Sequence, residues 1–397
     1  MEAVSRTVVA IRPRLPAHPP RERFLPALPT LWPEMLSPLA RARPAPFPFG
    51  AQRLTSYYLA RNAVFHGARL LGLAGREVLV PAYHHGVEVG ALAAAGARLR
   101  FVRVDGRMRL DLDDAERKVG PRTRALYVIH YAGFAQPMDD VLALARRRDL
   151  LVVEDCALSL LAAEGTRPLG SRGHLGVFCF YKTLPVPNGG ALVVNDPTVA
   201  GAPLEPTPAP WISTLSHALG GLLANLALRA GEPGEAVRTA VRRAYALARG
   251  ASGLAPVSTG TPRFDPALVD LGMSPLSSFV ASRLDAAEIV AARRRNYFLL
   301  LGRLRERVPP VFGELAAGAC PLFYPLLVED KAEVMARLAA RRVETVDFWR
   351  DAHPLCPHGE FPEAEALRRR VVELPVHQDL APEDVAHVGR AVEEALG

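Results

Sequence analysis

The chain has 397 residues, 49% of them hydrophobic, enough for two or three well-buried domains, which excludes a chain disordered throughout. Its formal net charge of +7 comes mostly from scattered arginines without a nucleic-acid motif, so no nucleic-acid partner is expected; the triplets Arg146–Arg148, Arg293–Arg295 and Arg368–Arg370 read as solvated helix faces. Four cysteines, Cys156, Cys179, Cys320 and Cys356, lack CxxC spacing, which excludes a zinc knuckle or a disulfide framework and points to a reducing cytoplasm.

Residues 1–50 hold 11 of the 36 prolines, including Pro19-Pro20 and Pro44-Ala-Pro46-Phe-Pro48. Proline donates no ladder hydrogen bond, and prolines from Pro13 onward interrupt the apolar run a signal peptide needs. With Phe24, Leu25, Leu31 and Trp32 the segment reads as an extended arm on the body or on a partner subunit; a disordered leader is the alternative. Residues 51–200 alternate helix and strand patterns, as an α/β layer structure with a mainly parallel sheet does. Helices are expected at Ala63–Leu73, Val87–Ala95 and Met138–Arg148. Strands are expected at Glu77–Pro81, Leu99–Val104, Ala125–Ile129, Leu150–Val153, Val177–Phe180 and Ala191–Val194. Residues 201–261 break this rhythm with a proline-rich connection and the apolar stretch Trp211–Leu228. That stretch contains His217, Asn225 and two glycines, which argues for a buried or partner-facing helix over a membrane span. Residues 262–397 read as a smaller α/β domain. It opens with one long helix over Ser278–Arg307, followed by strand Leu322–Val328, helix Lys331–Arg341, strand Val371–Leu374 and helix Pro382–Leu396.

Ligands of open parallel sheets bind beyond the carboxyl ends of the strands. The residues there are Tyr83-His84-His85, His130-Tyr131, Glu154-Asp155 and Tyr181-Lys182. Among 48 Lys plus Arg, only Lys118, Lys182 and Lys331 are lysines. A lysine can lose its proton and attack a carbonyl, which arginine cannot. Lys182 with Asp155 therefore suits pyridoxal 5'-phosphate (PLP), which needs a lysine for its Schiff base and a carboxylate to keep the pyridine nitrogen protonated. A helix N-terminus can cradle the phosphate. His130 and Tyr131 are candidates for substrate contact. Adjacent His84 and His85 point apart and lack a third ligand, so no metal site is expected. Gly170, Gly173 and Gly176 precede a strand, the wrong context for a dinucleotide loop, and Gly189-Gly190 reads as a tight turn.

Val152-Val-Glu-Asp155-Cys-Ala, Gly170-Ser-Arg-Gly-His-Leu-Gly-Val-Phe-Cys-Phe-Tyr-Lys182 and Asn188-Gly-Gly-Ala-Leu-Val-Val-Asn195 follow one another in an order that resembles the DegT/DnrJ/EryC1/StrS family of PLP-dependent sugar aminotransferases. Leu79-Val-Pro-Ala-Tyr83, Val128-Ile-His-Tyr-Ala-Gly133, Arg293-Arg-Arg-Asn-Tyr297 and Glu373-Leu-Pro-Val376 extend the resemblance over roughly residues 55–395. It implies the fold type I transferase architecture: a mainly parallel central sheet with helices on both faces and a smaller C-terminal domain. It also implies a homodimer with active sites at the interface, an amino acid such as glutamate as donor, and a nucleotide-linked keto sugar as acceptor. By this resemblance Lys182 is the Schiff-base lysine and proton shuttle, and Asp155 the pyridinium partner. His85 or Tyr83 lies against the ring, while Arg61, Asn62 and Cys179 meet the phosphate. Leu158 stands where the family has Gln or His, the approach to Lys182 is short, and Gly272-Met-Ser-Pro-Leu276 lacks the family's asparagine. Two alternatives stay open: a PLP enzyme of another reaction, such as elimination, and a fold-retaining homologue that serves as a partner or regulatory subunit. A lysine at 182 argues against the family's sugar dehydratases, which carry histidine there.

Overall fold

The computed structural model describes residues 23–397 except 40, 253–255, 262 and 307–309. The first 22 residues of the expected arm, including Pro19-Pro20, and the expected helix end at Arg307 lie outside the described residues.

Seven strands form the main sheet: β1 (Leu54–Tyr57), β2 (Glu77–Pro81), β3 (Arg98–Val102), β4 (Thr123–Ile129), β5 (Leu151–Cys156), β8 (Leu175–Cys179) and β9 (Gly190–Val194). Two two-residue strands, β6 (Ala163–Glu164) and β7 (Arg167–Pro168), pair with each other between β5 and β8 in the chain. The spatial order is β1-β9-β8-β5-β4-β2-β3, parallel from β8 through β3 and antiparallel where β9 and β1 join. The strands are Val- and Leu-rich because both faces are covered; every residue of β8 and β9 is buried. Strands β2, β4, β5 and β8 therefore deliver their carboxyl ends to one edge.

Helices α1 (Ala60–Leu70), α2 (Val87–Ala94), α3 (Leu112–Lys118) and α4 (Met138–Arg147) connect these strands. Asp111 caps α3 by accepting from the Asp114 amide, a start signal the sequence reading passed over because the helix is only seven residues long. Residues 201–261 hold two long helices, α5 (Trp211–Ala230) and α6 (Glu232–Ser252). The second went unread because Pro233-Gly234 near its start suggests a loop. Past that point, alanine and arginine carry the helix by propensity. The single helix expected over 278–307 is two, α7 (Pro275–Ala281) and α8 (Ala286–Leu304). Asp285 breaks it by accepting from the Glu288 amide as the N-cap of α8. Helix α7 packs with the main sheet's core through Val280, and Ser274 and Ser277 hydrogen-bond to Asn188.

The C-terminal part carries β10 (Phe323–Leu327), β11 (Val346–Asp347) and β12 (Val371–Pro375) in an antiparallel sheet ordered β10-β12-β11, with α9 (Lys331–Ala340), α10 (Pro362–Arg370) and α11 (Pro382–Leu396). The described part of the arm is pinned to this body. Leu25 pairs with Val343, Thr30 donates to Asp379 at 2.8 Å, and Trp32 is buried beneath the Arg229 guanidinium.

Two of the three arginine triplets are not solvated faces throughout. Arg293 is fully buried and donates to Gln378, to the Pro321 and Leu322 carbonyls and to the Thr183 carbonyl. Arg368 is buried and donates to the carbonyls of Ala82, His84, Trp349 and Asp351. A guanidinium whose N–H groups are met by several carbonyl oxygens can be buried where a solvated face would be expected.

Candidate active site

At the carboxyl edge of the sheet a cleft is lined by Arg61, His85, Glu88, Asp155, Leu158, Cys179, Tyr181, Lys182, Thr259 and Trp349, among others. Asp155, at the end of β5, is buried. One carboxylate oxygen accepts from Tyr127 Oη at 2.7 Å and the other from the Ala157 amide at 2.8 Å. Burial pushes its carboxyl pKa up, against the hydrogen bond from Tyr127. No α-helix follows at once, so the aspartate shapes a turn and does not cap a helix.

Only Phe180 and Tyr181 separate Lys182 from the end of β8. The short approach is stiff: Phe180 N donates to the Gly189 carbonyl, closing the loop that carries the lysine. The Thr183 carbonyl is held by both Arg293 and Gln378. The positioning role of Arg293 escaped the sequence reading; its one signal was its place in the family-like order around Tyr297.

Gly189 and Gly190 do more than turn. Gly189 sits at φ +142°, and a Cβ on Gly190 would lie 2.3 Å from the Ala60 nitrogen and 2.4 Å from the Leu59 carbonyl carbon. The start of α1 is thus pressed against the start of β9. Gly190→Ala is expected to lower stability by about 2 kcal/mol or more and to displace the α1 terminus from the cleft. Urea unfolding and cofactor affinity measure both effects, and a variant equal to the parent in each would show the close approach to be dispensable.

His85 presents a neutral ring. Burial first, then the positive charges of Lys182, Arg61 and Arg368, push its pKa down to about 3, and its Nδ1 is buried without a hydrogen-bond partner. Tyr83, the other ring candidate, is absent from the lining. It is packed behind, with its hydroxyl directed at the Phe348 carbonyl and its ring 5.3 Å from that of Trp349. Trp349 itself faces the cleft and was missed in sequence, because it belongs to a loop far along the chain.

At the α1 end of the cleft, Arg61 donates to the Thr259 and Arg263 carbonyls, and Tyr181 Oη reaches the Thr259 carbonyl at 3.3 Å. Cys179 lies beside them as a buried thiol whose pKa burial raises. Asn62 is turned away, its amide donating to the Leu268 carbonyl at 2.8 Å. His130 and Tyr131 are likewise not in the lining. The Gln136 amide donates to His130 Nδ1, so Nε2 carries the proton and donates to Glu154 at 3.0 Å. Tyr131 Oη donates to the Tyr83 carbonyl at 2.6 Å. Both brace the strand ends from behind.

Glu88, unremarked in the sequence, brings a second carboxyl to the cleft. It is buried in the first turn of α2 and accepts from the His85 amide at 2.8 Å. Burial, then repulsion from Asp155, push its pKa up to about 7. The folded state therefore holds this proton more tightly than the unfolded chain, and the stability it contributes is lost as pH rises from about 4.5 through about 7. Glu88→Gln is expected to remove that loss, up to about 3 kcal/mol. Its melting temperature should match the parent's near pH 5 and exceed it near pH 8; parallel curves would refute the assignment.

These residues fit PLP. A lysine and a buried carboxylate share one cleft with a neutral ring whose Nδ1 lacks a partner, and α1 opens on it without a side-chain cap, with Arg61 alongside.

The sequence matches the model of the DegT/DnrJ/EryC1/StrS aminotransferase family over residues 60–203 and 273–393, leaving 204–272 unmatched. It is 32% identical over 128 residues to GDP-perosamine synthase of Escherichia coli O157:H7, covering 32% of this chain and 35% of that protein. It is 37% identical over 130 residues to L-glutamine:scyllo-inosose aminotransferase of Streptomyces griseus, covering 32% of this chain and 31% of that protein. The alignments thus span about a third of the length of these curated relatives. Among solved structures, the sugar aminotransferase CalS13 from Micromonospora echinospora superposes with a TM-score of 0.63 at 22% identity, covering 93% of this chain and 99% of that one. A GDP-4-keto-6-deoxymannose-3-dehydratase superposes with a TM-score of 0.62 at 15% identity, covering 87% and 89%, so the fold is shared by enzymes of more than one reaction.

Proposed function

The chain belongs to the DegT/DnrJ/EryC1/StrS aminotransferase family, and from that premise we propose that it is a PLP-dependent aminotransferase carrying an amino group from an amino acid, glutamate by first choice, to a keto sugar borne on a nucleotide. The observation that carries this reading is the meeting of Lys182 and the buried Asp155 in one cleft. When bound, PLP supplies the electron sink of the reaction. Asp155, oriented by Tyr127 and the Ala157 amide, holds a proton at the pyridine nitrogen. Lys182 Nζ takes the proton from the donor's α-carbon and delivers a proton to the acceptor's carbon in the second half of the cycle. His85 and Arg61 line the cleft, where His85 would lie against the cofactor ring and Arg61 with the α1 amides would meet its phosphate. Leu158 and Trp349 make that part of the lining apolar and exclude water from the reacting carbons. The protein acts as a homodimer in the reducing cytoplasm, in keeping with four free, buried cysteines.

The test is spectroscopic. Added PLP is expected to give a visible absorbance band, glutamate to bleach it toward the ultraviolet, and a nucleotide-linked keto sugar to restore it. Failure to bind PLP would favour the non-catalytic partner reading. Binding without bleaching by any common amino acid would favour another PLP reaction.

A further inference from the structure

Helix α5 carries no acidic residue, and its exposed large apolar side chains are grouped. Trp211, Ile212, Leu215 and Leu219 are all exposed, Trp211 at 69% and Leu215 at 55%. Their spacing of one, three and four residues puts them on one face. The opposite face is committed to the body, where Asn225 donates to Thr30 at 3.0 Å and Ser213 accepts from the Val257 amide at 2.9 Å. Helix α5 is long and apolar enough to cross a membrane, with a mean hydropathy of 1.2. These buried polar contacts tie it along its length, so it can lie on a bilayer and not span one.

Helix α6 doubles back along it: Ser216 and Tyr245 are joined by a hydrogen bond of 3.1 Å between their hydroxyls. The Trp211 end of α5 therefore adjoins the second half of α6, where Leu247 is 78% exposed. Arg242 and Arg243, also exposed, stand one turn before Tyr245 and Leu247 and have no ion pair among the described residues. Between Glu235 and Asp265 the sequence holds no acid. The two acids of α6, Glu232 and Glu235, lie at its other end, where both pair with Arg342 of the body.

We propose that this free end of the α5–α6 hairpin is a membrane-docking surface that lies on an anionic lipid bilayer. Exposed aromatic and aliphatic side chains beside unpaired arginines, with no acid among them, match the acyl boundary and the negative headgroups of such a surface. A second copy of the chain is a poorer occupant, because a two-fold contact would bring arginines against arginines. The hairpin also falls within residues 204–272, which the family model leaves unmatched.

Trp211 reports on this directly, since Trp32 and Trp349 are both buried. With vesicles of phosphatidylglycerol and phosphatidylethanolamine, the intact protein is expected to float and its tryptophan emission to shift to the blue. Neither effect is expected with phosphatidylcholine alone, and both should weaken at high salt. Leu215→Glu with Leu219→Glu, or Arg242→Glu with Arg243→Glu, should cut vesicle binding at least tenfold while the melting temperature stays near the parent's. Absence of flotation in the unaltered protein overturns the proposal without any variant. So does a Leu215→Glu variant that turns a dimer into a monomer by light scattering while the parent ignores vesicles, since the face would then belong to a second copy.

Discussion

Replacing Lys182 with alanine is expected to abolish the visible band given by added PLP and to lower transamination by about 10³-fold or more, since both the covalent anchor and the proton carrier are lost. The fold should survive. Lys182 is only partly buried, has no ion-pair partner among the described residues, and its loop is held by other side chains, Arg293 and Gln378 at the Thr183 carbonyl. The other two lysines make the control. Lys118 is tied to Asp114 at 2.9 Å and to the Phe101 carbonyl. Lys331 is tied to Asp347 and to the Phe348 and Arg368 carbonyls. Both are structural cations, so Lys118→Arg should leave the band and the rate intact, whereas Lys182→Arg should lose both, because a guanidinium does not give up its proton at working pH. A Lys182→Ala protein that kept the band would move the anchor elsewhere and undo the proposed mechanism.

Lysine rarity singled out three candidates and position separates them: of the three lysines, only the one at a strand end lines the cleft. The same rule, that sites gather beyond parallel strand ends, found Asp155 and His85. It overreached at Tyr83, His130 and Tyr131, because a strand end has two sides and sequence does not say which side a loop residue takes. Asn62 failed for a related reason. The first turn of α1 reaches the cleft, yet side chains there fan around the helix, and Asn62 turns to the Leu268 carbonyl. Arg293 and Arg368 were hidden by company. Within these two triplets the first residue is the one rotated inward, and only the carbonyls awaiting it, supplied by segments remote in sequence, make its burial affordable. Helix α6 was lost because Pro233-Gly234 near its start reads as a loop, which hid the helical spacing of Val237, Val241, Ala244 and Ala248 behind it. The carboxyl of Glu88 was legible only as an ordinary helix-start acid until its burial beside Asp155 appeared.

Asp155→Asn separates a turn-forming role from a chemical one. The asparagine carbonyl can still accept from the Ala157 amide, and its amide can donate to Tyr127 Oη, so the turn after β5 is expected to persist. Without cofactor the variant should be at least as stable as the parent at neutral pH. The reason is that burial raises the Asp155 pKa in the folded state, so ionising it costs stability that is lost as pH rises above the unfolded value. The advantage should vanish in acid, where the parent's carboxyl holds its proton. Activity should move the other way, falling by about 10²–10⁴-fold, because a neutral amide cannot keep the pyridine nitrogen protonated. Thermal melts of the cofactor-free proteins across pH, set beside rates with glutamate, decide the matter. If asparagine supports full activity, Asp155 is a turn residue only, and the electron-sink role has to be sought in another group of the cleft, with Glu88 the first to test.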